Sequence, residues 1–141
     1  MLLKTYDNIT AAVINNRLWI CGNNTYILGG IKNKTFTEIY CDFDGSGIRN
    51  IKIIYCAIFV ITNDGNLFFS GKLNNCRIIA KEFVQLIGVS NVYNVYGCSY
   101  NLIYVTNDNK LYRLLVTSIG NKISSKPKMI YLNEDVIKVS V

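Results

Sequence analysis

The sequence predicts an all-β fold, a partial β-propeller of about three antiparallel four-stranded blades that only other copies or missing sequence would close. Two observations carry this expectation. A short hydrophobic run, an Asn/Asp-rich turn and an aromatic-rich strand recur three times, as AAVINNRLWICG, FVITNDGNLFFSG and IYVTNDNKLYRL. Setting Leu18, Leu67 and Leu111 in register spaces the copies by 49 and 44 residues, a period that belongs to stacked β-units such as propeller blades. The chain is then a single repeat domain with units 1–47, 48–90 and 91–134, and 135–141 starts a further one.

Within each copy Val, Ile, Phe and Tyr alternate with polar residues over short runs, as half-buried strands require. Asn15-Asn16, Asp64-Gly65 and Asp108-Asn109 are the expected hairpin tips, because tight turns need positive φ and Asn adopts it more readily than other non-Gly residues. The apolar run from Ile53 to Ile61, nine residues, reads as one buried strand, far short of the roughly 20 residues of a membrane helix. Helical spacing occurs only over 75–87, where Ile79, Phe83 and Leu86 would share a face. A loop and outer strand is the expectation there, since β-branched and aromatic residues dominate the chain. The closing residues DVIKVSV, from Asp135, resemble an opening strand, and the first residues read as joining a unit part-way.

Closing a propeller ring takes about four to eight blades, and 141 residues at this period hold about three. Three arrangements follow: a piece of a longer protein, an open arc, or copies joined head to tail. In the last case the final strand of one copy meets the first blade of the next, giving rings or filaments according to whether the rotation closes.

The first copy continues as CGNNTYILGG, and here the sequence resembles the regulator of chromosome condensation repeat family. In that family an aromatic strand leads to a W-G-x-N-x-x-G-Q-L-G segment. Trp19, Gly22, Asn24, Leu28 and Gly29 fit it, with Cys21 in the Trp place. The second copy keeps Thr62, Asp64, Gly65, Leu67, Phe68 and Gly71, with Asn74 one place late. YGCSYNLIYVTNDNKLY, from Tyr96 to Tyr112, is similar to the family stretch C-G-S-Y-H-S-L-A-L-T-x-D-G-x-V-Y, with Asn101 in the His place and Asn109 in that of the turn Gly. Arg113 to Val116 replace the W-G-x-N element altogether. The resemblance implies a propeller that binds proteins. Some members are exchange factors for a small GTPase, others bind histones and DNA, and others inhibit enzymes.

Composition narrows the chemistry. Half the residues are hydrophobic and 17% are charged, enough for a core and too apolar for long disorder. The chain has no His, so Ser–His and Cys–His arrangements cannot be built from it. Five cysteines, Cys21, Cys41, Cys56, Cys76 and Cys98, form no C-x-x-C pair and read as reduced thiols of a cytoplasmic or nuclear protein. DFDGSG, Asp42 to Gly47, begins like a calcium loop, but the twelfth position is Ile53 where a bidentate Glu is needed. No Gly-rich segment continues as a P-loop. The expectation is therefore a non-enzymatic protein with no catalytic residue, metal, cofactor, small-molecule substrate or membrane span.

Loops projecting from a rigid propeller carry recognition. The candidate partner contacts are Asn23, Asn24, Thr25 and Tyr26 in the first copy and Lys72, Leu73 and Asn74 in the second. The alternative is that the Gly and Asn of this segment only shape the blade. The partner would be another protein or the chain's own copies, head to tail. The net charge of +6 raises nucleic acid as an alternative partner. Lys122, Lys126 and Lys128 gather in NKISSKPK, read as a loop pinned by Pro127, and are candidate phosphate contacts; Arg49 with Lys52 form a smaller group. The competing account is that these cations keep a β-rich surface soluble and discourage edge pairing.

Overall fold

A computed structural model describes residues 1–73, 77–97, 101–119 and 122–131, the side chains of 119 and 122 excepted. The first sheet holds β1 (Leu2–Tyr6), β2 (Ile9–Ile14), β3 (Arg17–Asn24) and β4 (Ile31–Ile39). The second holds β5 (Ile48–Ile54), β6 (Ala57–Thr62), β7 (Leu67–Leu73) and β8 (Ile78–Gln85). β9 (Val92–Gly97), β10 (Leu102–Thr106), β11 (Leu111–Ile119) and β12 (Lys122–Ile130) make the third. Each sheet is an antiparallel meander in chain order, and the first strands lie side by side, β1 touching β5 and β5 touching β9.

The turns follow from the residues that occupy them. Asn15 and Asn16 both take positive φ, 50° and 64°, which closes β2 onto β3 with two residues and pairs Ile14 with Arg17. The other two tips are wider. Gly65 N–H donates to Thr62 O at 2.9 Å and Asn109 N–H to Thr106 O at 3.0 Å, with Gly65 at φ 80° and Asn109 at φ 60°. Asn109 thus fills the left-handed position that Gly65 fills one sheet earlier. The first two tips also fix the sheet that follows. Ile48 N–H donates to Asn16 Oδ1 at 2.6 Å, and Val92 N–H to Gly65 O at 2.9 Å.

Two cores join the sheets. In one, Ile9, Ala11, Leu18 and Ile20 meet Ile51, Ile58, Val60 and Phe68. In the other, Phe59, Ile61, Leu67 and Phe69 meet Val95, Leu102, Tyr104 and Leu114. The middle sheet is therefore covered on both faces, and every residue of β6 is buried. This is why its sequence is a continuous apolar run and not an alternating one.

That run is not one strand. Ile53 to Ile61 comprises the end of β5, a turn with Tyr55 at φ 55°, and most of β6. The segment with helical spacing contains the outer strand β8. The first residues do not enter a unit part-way, since β1 pairs with β2 from Leu2↔Val13 to Tyr6↔Ile9 and completes a four-stranded sheet. Residues 135–141 lie outside the described residues.

Gly22 and Gly71 stand four residues past Leu18 and Leu67, and the pairing to the next strand shifts at both. A Cβ on Gly22 would sit 1.9 Å from Asn8 O, and one on Gly71 2.1 Å from Cys56 O. The bulge brings β3 and β7 against these carbonyls. In the third sheet Leu115 holds that place, and β11 pairs with β12 without a shift from Leu111↔Ile130 to Ile119↔Lys122.

Candidate interaction surfaces

The segment singled out in the first copy packs inside the arc. Asn24 Oδ1 accepts hydrogen bonds from Tyr26 N–H at 2.9 Å and Ile27 N–H at 3.0 Å, winding a short 3-10 turn over Ile27–Gly29. Ile27 is fully buried in the core between the first two sheets. Leu28 N–H donates to Ser70 Oγ at 2.9 Å, and Ser70 Oγ donates onward to Ala80 O at 2.9 Å. The Lys72 ammonium lies 3.9 Å from the Tyr26 ring centroid, a cation–π contact between sheets. The fold thus unites Asn24, Tyr26 and Lys72 as a plug and socket. Asn23 and Thr25 are exposed, Leu73 is 1% exposed within the core and has no side-chain surface to offer, and Asn74 lies outside the described residues.

The first sheet repeats the socket on its free face. Cys21 stands where Ser70 stands one sheet later, and its Sγ donates to Asn33 O at 3.5 Å as Ser70 does to Ala80. Trp19 takes the place of Phe68, whose ring meets Phe43 edge-on at 5.3 Å. Trp19 Nε1 is buried and has no hydrogen-bond partner among the described residues. Leu3, Ala12, Trp19 and Glu38 form one row across this face, with Leu3 56% exposed. Glu38 is bonded to Arg17 at 3.2 Å.

On the third sheet Lys126 and Lys128 lie not in a loop but on the edge strand β12, opposite Leu115 and Arg113. An edge strand tolerates Pro127, because one side of its backbone needs no sheet partner. Alternation turns Lys126, Lys128 and Arg113 away from the core that takes Leu114 and Val116. Arg113 Nη2 donates to Asn101 Oδ1 at 3.3 Å. The side chain of Lys122 lies outside the described residues.

A further cationic row, not singled out from the sequence, runs along the first strands. Lys4, Lys52 and Tyr96 occupy equivalent registers, opposite Ala11, Phe59 and Ile103. Lys52 Nζ lies 5.1 Å from the Tyr96 ring centroid, and the Arg49 guanidinium 5.6 Å from that of Tyr93. The signal was available in the grouping of Arg49 with Lys52; Lys4 joins them only through the register.

In the calcium-like segment Asp44 spends its oxygens internally. Asp44 accepts from Ser46 N–H at 2.9 Å, Ser46 Oγ at 2.6 Å, Thr62 Oγ1 at 2.6 Å and Asn66 Nδ2 at 2.8 Å. Desolvation pushes its pKa up, and these bonds overcome that and hold the carboxyl well below the usual carboxylate range. Among the described residues no group of three or more His, Cys, Asp or Glu is placed to hold a metal. A groove of about 240 Å³ beside the Arg17–Glu38 pair is lined by Tyr40, Cys41 and Phe43. Burial first, then Asp42 and Glu82, push the Cys41 thiol up, which suits it poorly to nucleophilic work. No helix among the described residues is long and apolar enough to cross a membrane.

Three consecutive four-stranded meanders, packed face to face with their first strands adjacent, define an arc of a β-propeller. Its repeat fold is that of the chromosome condensation regulator structures. Prp20p from Saccharomyces cerevisiae, a protein with binding properties towards Gsp1p and histones, is similar at 17% identity and TM-score 0.71, over 99% of this chain and 38% of its own. Human WBSCR16 is similar at 12% identity and TM-score 0.69, over 93% and 37%. Yeast RCC1 (Prp20) bound to Kap60 is similar at 14% identity and TM-score 0.66, over 80% and 31%. The chain spans about a third of the length of these proteins. No protein-family model and no curated protein matches the sequence.

Proposed function

We propose that the chain is a non-enzymatic propeller module that binds protein through the free face of its first sheet, the bound surface being a further blade supplied by another copy or another propeller chain. One observation carries this: Trp19 and Cys21 repeat the positions of Phe68 and Ser70, which in the second sheet receive the preceding blade. Apolar side chains of the incoming blade would cover Leu3, which is 56% exposed. That similar propellers bind Kap60, Gsp1p and histones supports a protein partner. The free thiols of Cys21, Cys41 and Cys56 support a reducing compartment, cytoplasm or nucleus.

Trp19 is the sole tryptophan of the chain, so its emission reports on the face directly. Light scattering at micromolar concentration should give a discrete multiple of 16.0 kDa, with Trp19 emission shifting to the blue as copies associate. A monomer with unshifted emission removes docking between copies. An exchange-factor role predicts faster nucleotide release from a small GTPase on adding the chain, and unchanged release removes it.

A second reading has its own observation. Arg113, Lys126 and Lys128 stand together on the free face of the third sheet, a charge arrangement that attracts phosphate. Retention on immobilised duplex DNA that falls steeply with salt and weakens in a Lys126→Gln/Lys128→Gln variant would support it. Binding indifferent to salt would reject it.

A further inference from the structure

The first strands of the three sheets carry cations and tyrosines but no carboxylate: LLKTY, IRNIKII and VYNVYG. Because Lys4, Lys52 and Tyr96 share one register and β5 touches both β1 and β9, they form consecutive rungs of one row. Lys52 stands in the middle, against the Tyr96 ring on one side. Its ammonium is disfavoured by partial burial and then by the charge of Lys4, so two cations approach one another. Neither takes part in an ion pair among the described residues.

Two bulges extend the row. The pairing shifts between Ile48 and Asn50 in β5 and, in the matching place on the third sheet, opposite Tyr93 in β9. The extra residues are Arg49 and Tyr93, which the bulges take out of the strand alternation. Arg49 donates to Asn107 Oδ1 at 3.0 Å and to Val92 O, so its guanidinium is held beside Tyr93, which remains 56% exposed. At the opposite end of the same strands Tyr6 and Tyr55 lie with centroids 6.3 Å apart, 41% and 56% exposed. Cations and open aromatic faces therefore alternate over the length of β5, about 20 Å at the usual rise per residue.

We propose that this surface of β1, β5 and β9 binds single-stranded nucleic acid, with Lys4, Lys52 and Arg49 taking backbone phosphates and Tyr93, Tyr6 and Tyr55 offering faces to unpaired bases. Paired Lys/Arg displace counterions from a phosphate chain, and sequence-tolerant stacking on aromatic rings is how single strands are held. An acidic peptide would meet the cations and leave the rings unused, and a duplex keeps its base faces stacked inside. The site is separate from the sheet face at Trp19 and from Arg113, Lys126 and Lys128.

The test is fluorescence anisotropy of a labelled mixed-sequence single-stranded oligonucleotide with the full chain. Binding should weaken with salt, with a log–log slope of about −2 for three phosphates. Lys4→Gln/Lys52→Gln should reduce the slope by about 1.4, Lys52→Arg should retain binding, and Tyr93→Ala should weaken it about ten-fold. Lys32→Gln/Lys34→Gln, the same loss of charge at exposed residues of β4, should leave it unchanged, and all variants should keep the parent mass and thermal midpoint. No binding at low salt, equal competition by duplex or polyglutamate, or a loss in Lys32→Gln/Lys34→Gln matching that in Lys4→Gln/Lys52→Gln overturns the proposal.

Discussion

Leu28 in the first sheet donates its backbone N–H to Ser70 Oγ in the second, and Ser70, fully buried, donates in turn to Ala80 O. One hydroxyl thus satisfies a donor and an acceptor from different sheets. Ser70→Ala should cost about 1–3 kcal/mol by leaving the half-buried Leu28 N–H without this partner and removing a donor from buried Ala80 O. Ser70→Cys reproduces the Cys21 arrangement, keeps a weak donor and should lose less. Equilibrium urea unfolding measures both.

Gly71 faces a harder limit. A Cβ there would stand 2.1 Å from Cys56 O at φ 118°, so Gly71→Ala forces backbone apart and should cost about 3 kcal/mol. Gly45 has φ 75° and nothing within 4 Å; Gly45→Ala should cost about 1 kcal/mol from conformation alone. Equal losses in the two variants would show that the bulge is not held against Cys56.

Acid should find Asp44. Its folded pKa lies below the ordinary carboxylate value, so the unfolded chain binds protons first as pH falls, and the stabilisation is complete above about pH 4 and drains away below it. Asp108, held low chiefly by the Thr106 hydroxyl and then by Lys110, adds to the same limb. Asp44→Asn should flatten the fall in stability between pH 4 and the acid end, read from urea midpoints across pH, while leaving the Asp108 share.

Asn109 offers a conformational test. At φ 60° it sits where the second sheet uses Gly65, so Asn109→Gly should be tolerated within a few tenths of a kcal/mol. Asn109→Ala should lose about 1 kcal/mol, measured as a shift in thermal midpoint.

The register of the arc was legible in three leucines. Leu18, Leu67 and Leu111 pair with Val13, Ile61 and Val105, the same rung of each sheet, because alternation and turn chemistry are local properties that survive in sequence. The middle sheet hid its own hairpin. With both faces covered, no polar residue marks the turn at Tyr55-Cys56, and tyrosine is itself a strand former. The cations of β12 read as a loop because Ser, Lys and Pro are turn residues in composition, yet an edge strand accepts all three. The contact of Tyr26 with Lys72 joins two sheets far apart along the chain, so no local pattern announces it. The row from Lys4 to Tyr96 needs three strands aligned before it exists at all.

Burial of β6 at every position has a consequence for how the arc comes apart. Its amides trade hydrogen for deuterium only after a neighbouring layer has lifted away, so they should be among the slowest in the chain. Peeling either flank would strip half of the central leaflet's shelter at one stroke, which ties the three leaflets into a single melting event.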